Sequence, residues 1–128
     1  MKISEKLELP CGVVIKNRFL KSAMTEGLAS ESASANDKHV NLYDRWAKGG
    51  SGILVTGNVF VDHRYIERPG NVVIEGKQTN DQVSSLADWS KAGTVNDTHL
   101  WMQISHAGRQ TPYTINKEPV APSPKQLN

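Results

Sequence analysis

The chain has 128 residues, 38% apolar and 22% charged, with 15 basic residues against 13 acidic ones. That balance excludes collagen, coiled coil and wholesale disorder, and the scattered Lys and Arg form no basic patch for nucleic acid. No apolar run approaches the roughly 20 residues of a membrane helix and none follows the N-terminal Met-Lys, so a cytoplasmic protein without a membrane or nucleic-acid partner is expected.

Lys6 to Leu9 and Val13 to Lys16 are short β-type runs separated by Pro10-Cys11-Gly12, which predicts a hairpin. Cys11 is the single cysteine and has no partner for a disulfide and no Cys/His pattern for a metal. A strand is expected next over Arg18 to Met24, then a polar loop through Ser30 to Ala35. Ser34-Ala35-Asn36-Asp37 offers a capping signal, and Val40, Tyr43 and Ala47, with Leu42 and Trp46 one row over, recur at helical spacing up to Gly49-Gly50. Gly52 to Gly57 is nearly continuous in β-formers and predicts a strand covered on both faces. After a polar stretch from Asp62 to Lys77, Thr79-Asn80-Asp81 caps a second helix whose buried stripe is expected at Val83, Leu86, Ala87 and Trp89, fading near Asn96-Asp97. The sequon Asn96-Asp97-Thr98 is read as coincidental. His99 to Ser105 is a further strand, and the proline-bearing tail from Gly108 has no periodicity.

The order hairpin, β, α, β, α, β implies right-handed crossovers and a parallel sheet, so the fold class is α/β. Three parallel strands leave unpaired outer edges and too little structure to cover strands this apolar. The reading is the front portion of a larger α/β protein; spacing alone also permits a compact three-stranded domain.

In such sheets chemistry gathers where strands finish. Those ends are Ser22-Ala23-Met24-Thr25, Thr56-Gly57-Asn58, and Gln103 with Ser105-His106-Ala107-Gly108-Arg109. Small residues, a hydroxyl and an amide suit a flat ring with a polar edge. They include no carboxylate pair, no Ser/His/Asp arrangement and no phosphate loop. Taken singly, Thr25 also fits a strand-end hydroxyl bonded to its own backbone, Gln103 a core amide, and Gly57 a bulge.

The segments Ile15 to Thr25, Gly50 to Gly57, Gln103 to Gln110 and Pro119 to Ser123, in this order, resemble the old yellow enzyme family of NAD(P)H:flavin oxidoreductases. The resemblance spans nearly the whole chain. It implies the N-terminal part of a (β/α)₈ TIM barrel, incomplete, with a start hairpin, about three βα units and an FMN site at the strand ends. It further implies cofactor-binding roles for Ser22, Ala23, Met24 and Thr25 along the isoalloxazine, with the Thr25 hydroxyl toward O4. Gly57 would add a backbone N–H and Gln103 an amide to the pyrimidine portion. His106 and Arg109 are taken as loop-orienting, and Glu26-Gly27 stands where some relatives carry an aromatic residue, which argues against a substrate contact there. No catalytic or metal-binding residue is assigned.

The implied activity is hydride transfer from NAD(P)H through FMN to an activated alkene as a small-molecule substrate. In the family the substrate-holding His/His or His/Asn pair, the proton-donating Tyr, the Arg beside flavin N1–O2 and the phosphate site all lie later than residue 128. Without that phosphate anchor, whose charge-assisted bonds are worth about 1.5–3 kcal/mol each, this chain alone is expected to bind FMN weakly or not at all. The alternative is a non-enzymatic fragment or a subunit that pairs with a separate remainder of the barrel or with further copies of itself.

Overall fold

The computed structural model describes residues 2–124. Leu7–Glu8 (β1) and Val14–Ile15 (β2) pair antiparallel, giving the expected hairpin. Its buried residue Ile15 lies under the entrance to the main sheet, where a Cβ on Gly52 would come within 2.7 Å of both the Ile15 side chain and the Asn17 carbonyl. Only glycine permits so close an approach, so the hairpin seats against the start of the next long strand.

The main sheet holds Leu20–Lys21 (β3), Ile53–Phe60 (β4), Val72–Val73 (β5) and His99–Ser105 (β6), with the other three all parallel to β4. Because β6 runs beside β4 from Ile53 to Phe60, β3 at Ile53–Leu54 and β5 at Val59–Phe60 share the opposite edge. The helices Asp37–Lys48 (α1) and Asn80–Gly93 (α2) occupy the crossovers. The architecture is a partial, unclosed parallel α/β sheet.

Both helix starts fall within the expected capping segments, at Asn36 and Thr79. The Asn36 side chain accepts the Lys38 N–H at 3.0 Å while His39 Nδ1 accepts the Asn36 N–H at 3.3 Å. The Thr79 hydroxyl and the Gln82 side chain make the same reciprocal pair on α2, at 3.2 and 2.8 Å. Such a pairing satisfies amides that a helix start leaves open. Between helices and sheet, Tyr43, Ala47, Leu54, Val59, Val72 and Trp89 form the core, with the Tyr43 and Trp89 rings edge-on at 5.2 Å. Each large apolar side chain buried there contributes roughly 1.5–3 kcal/mol.

Four expectations are corrected. The strand expected over Arg18 to Met24 is regular only at Leu20–Lys21, because the chain beyond Lys21 leaves the ladder to wall a cleft at the strand ends. The strand expected to finish at Gly57 continues to Phe60. Val72–Val73 pairs within the stretch expected to be irregular, two residues being too few to show a period. The buried stripe of α2 excludes Val83 and Ala87, which are exposed, and runs through Leu86, Trp89, Ala92 and Gly93. Trp89 sets that rotation by packing on His39 at 4.8 Å as well as on Tyr43. The tail after β6 is irregular apart from a short 3₁₀ turn at Gly108–Gln110; residues 125–128 of that expectation lie outside the described residues. The sequon sits in a turn with Asn96 and Asp97 at positive φ, and the buried Thr98 hydroxyl donates to the Ser51 carbonyl at 3.0 Å.

Candidate functional site

The site begins with an irregularity in β4. Val55 pairs with Trp101 and Asn58 with Gln103, so two residues of β4, Thr56 and Gly57, oppose Met102 alone. This is a β-bulge, and it reverses the alternation of faces along the strand. Before it Leu54 joins the helix-side core and Val55 faces the other way; after it Val59 joins the core and Asn58 faces the other way. Asn58 is thereby brought beside Gln103 on the face away from the helices, and the Gln103 carboxamide nitrogen donates to Asn58 Oδ1. The Thr56 hydroxyl accepts the Gln103 backbone N–H at 3.0 Å and donates to the Gly57 carbonyl at 2.8 Å, satisfying groups the bulge takes out of the ladder.

From this pair the polar network extends to the loop after β4. Asn58 Nδ2 donates to Glu67 Oε2 at 2.6 Å, the Thr25 hydroxyl donates to the same oxygen at 3.0 Å, and the Arg68 guanidinium donates to Oε1 at 2.9 Å. Partial burial is the largest influence on the Glu67 carboxyl and pushes it up. The donors from Asn58, Thr25 and Arg68 outweigh it, so the carboxyl is held below the ordinary range and is ionised at neutral pH. Ala23, Met24 and Thr25 wall one side of a cleft of about 410 Å³, and Asn58, Glu67 and Gln103 form its polar floor. The cleft lies at the C-terminal ends of the parallel strands, where βα loops carry function on a rigid frame.

Of the six residues expected to bind a cofactor, Ala23, Met24, Thr25 and Gln103 line this cleft, whereas Ser22 and Gly57 do not. Gly57 is buried within β4, and its N–H donates to the Tyr43 hydroxyl at 3.2 Å on the helix side. A Cβ there would lie 2.3 Å from Glu26 Oε2 and 2.4 Å from the Met24 carbonyl, which accounts for the glycine. Tyr43 in turn donates to Glu26 Oε1 at 2.5 Å; burial first, then Glu26, pushes the phenol well above its usual range. Glu26 is thus engaged with α1. His106 edges the cleft with its Nδ1 accepting the Gly108 N–H at 3.1 Å and its ring stacked on Tyr65 at 4.6 Å.

Glu67 carries no signal in the sequence. A lone Glu in a polar loop has no pattern, and its importance comes from Asn58, which only the bulge turns toward it.

Two other features stand apart. A larger hollow of about 740 Å³ is walled entirely by residues 109–124, with no strand contributing, so it has no rigid frame. Asp62, His63 and Glu75 bring potential metal-ligand atoms within 4.8 Å of one another. These atoms are occupied locally: Glu75 accepts the His63 backbone N–H at 2.5 Å, and Asp62 caps the Arg64 N–H at 2.9 Å and pairs with its guanidinium at 2.7 Å. Among the described residues no helix is long and apolar enough to cross a membrane.

Residues 10–128 match the model of the NADH:flavin oxidoreductase / NADH oxidase family. The NADH-dependent flavin oxidoreductase iliE of Hypocrea jecorina is 36% identical over 107 residues, covering 83% of this chain and 27% of the relative. The NADH oxidase of Thermoanaerobacter brockii is 33% identical over 115 residues, covering 88% of this chain and 17% of the relative. The chain therefore spans about a quarter or less of the curated relatives it matches. An old yellow enzyme homologue from Zymomonas mobilis superposes over 100% of this chain and 35% of its own, with TM-score 0.85 at 19% identity. Morphinone reductase superposes over 94% and 31%, with TM-score 0.80 at 17% identity. These structures show the fold, of which this chain forms the first part.

Proposed function

Because the chain belongs to the NADH:flavin oxidoreductase / NADH oxidase family, we propose that residues 1–128 supply the N-terminal portion of an FMN-dependent NAD(P)H oxidoreductase that reduces activated alkenes. The observation that carries the reading is the cleft itself, in which a hydroxyl and two carboxamides converge at parallel strand ends. The donor set fits the implied cofactor. A flavin pyrimidine edge alternates acceptor, donor and acceptor; the Asn58 and Gln103 carboxamides offer both kinds of group, and the Thr25 oxygen is a further acceptor. Ala23 and Ala107 leave room beside them for a flat ring.

Held there, FMN would supply hydride transfer from NAD(P)H to an electron-poor alkene. The chain's own residues do preparatory work. Ala23, Met24 and Thr25 wall the ring position, Gln103 binds the pyrimidine portion, and Asn58 fixes the direction of the Gln103 amide. The bulge at Thr56–Gly57 sets their spacing, so the ring's polar edge meets groups already oriented and little side-chain freedom is lost on binding. Gly57 and Ser22 act from outside the cleft, Gly57 by admitting Glu26 and Tyr43 beneath the strand.

The protein is purified, alone and complemented by the remaining barrel strands, and examined for flavin absorption and its bleaching by NADH without oxygen. The complemented form is expected to be yellow and to be bleached by NADH. Colourless protein that gains no bound flavin from added FMN in either form would sink the reading.

A second reading, a subunit that requires a separately supplied remainder of the barrel, draws on the exposed apolar side chains of β6. Trp101, Met102 and Ile104 all face solvent. Monomeric 128-residue chain that protects every β6 amide from exchange would contradict it.

A further inference from the structure

The floor of the cleft contains a group that the flavin reading leaves without a task. Glu67 stands in the loop after β4, and its carboxylate collects hydrogen bonds from three side chains: Thr25 at 3.0 Å, Asn58 at 2.6 Å and Arg68 at 2.9 Å. A carboxylate only accepts, so it fixes the polarity of everything bonded to it. Gln103 donates to Asn58 Oδ1, while Asn58 and Thr25 both donate to Glu67 Oε2, so donation through the network runs toward the carboxylate. The Thr25 hydroxyl has a single proton, and in this arrangement it is committed to Glu67 rather than available to a ring oxygen.

We propose that Glu67 is a positioning residue that tunes the bound flavin: it withholds the Thr25 proton from the ring and adds a negative charge nearby, so that the flavin is held at a lower reduction potential. Both effects have the same sign. Reduction makes the ring electron-rich; a donated proton at its oxygen edge favours that state, and a neighbouring anion disfavours it. Arg68 offsets part of the charge, but it binds Oε1, whereas Thr25 and Asn58 share Oε2. Glu67 thus acts through Thr25 and through its field. The low carboxyl of Glu67 is consistent with this, since the effect requires the ionised form.

The inference rests on the flavin reading of the cleft, and its test separates the two. Midpoint potentials of the flavin-loaded protein are measured for wild type, Glu67→Gln, Thr25→Val and the double variant. Glu67→Gln is expected to shift the potential upward. Thr25→Val alone is expected to leave it nearly unmoved, because that proton was not on the ring. In the Glu67→Gln background, Thr25→Val is expected to remove part of the gain. Bound flavin with an unchanged potential in Glu67→Gln overturns the inference and leaves the flavin reading intact. A lowered potential in Thr25→Val alone overturns it as well, and this decides the matter if Glu67→Gln does not fold. A wild-type protein that holds no flavin overturns the reading and this inference with it.

Discussion

Strands β4 and β6 are neighbours of similar apolar character that live in opposite environments. On β4, Leu54 is 0% exposed and Phe60 1%, whereas on β6 Met102 is 45% exposed and Ile104 71%. The difference lies in partners rather than composition. β4 has β6 along one edge, β3 and β5 along the other, and helices over one face. β6 has β4 alone, and among the described residues no α-helix comes after it to cover the side carrying Met102 and Ile104. A strand's apolarity therefore reports the environment it is suited to, and only its neighbours decide whether that environment exists. The site straddles this divide: Asn58 is on the enclosed strand and Gln103 on the open one.

Truncating equivalent aliphatic side chains on the two strands sharpens the contrast most. Leu54→Ala is expected to cost about 2–5 kcal/mol, as buried Leu truncations do, while Ile104→Ala is expected to stay within about 0.5 kcal/mol. Urea unfolding of both variants checks it, and equal costs would break the comparison. Next in size is Tyr43→Phe, which leaves the buried Gly57 N–H without its acceptor and Glu26 without its donor. Its expected cost is about 1–3 kcal/mol, read from the same unfolding curves.

A smaller effect comes from His39, fully buried against Trp89 and accepting the Asn36 N–H. Burial lowers its pKa, opposed in part by Glu26. The unfolded chain takes up the proton below about pH 6.5, while the fold resists it, so the unfolded state binds more protons and stability falls as the pH drops through that window. Thermal melts between neutral and mildly acidic pH are expected to show this decline. His39→Gln keeps a capping-box side chain at the same helix position and is expected to flatten it.

Much of the fold was legible from the residues. The hairpin, both helix caps and the main strand order come from turn residues and periodicity, because those signals are local. The rotation of α2 was not, since Val83 and Ala87 satisfy the helical period and only packing by Trp89 chooses between faces. β5 was invisible because two residues have no period. At the site, Ala23, Met24, Thr25 and Gln103 were legible through the family resemblance and do converge. Gly57 was read as a strand end, but the bulge makes it an interior residue that faces Tyr43, and that same bulge is what aligns Asn58 and exposes the role of Glu67. A register shift depends on long-range pairing, which no local pattern encodes.

The central claim is that flavin binds in the cleft at the strand ends. Adding FMN to isotope-labelled protein complemented by the remaining barrel strands and tracking backbone and side-chain amide resonances tests this directly. Shifts concentrated at Thr25, Asn58 and Gln103 and the Glu67 loop are predicted, with the segment from Arg109 to Pro124 little changed. Shifts confined to that segment, around the larger hollow, or none at any FMN concentration, would contradict it.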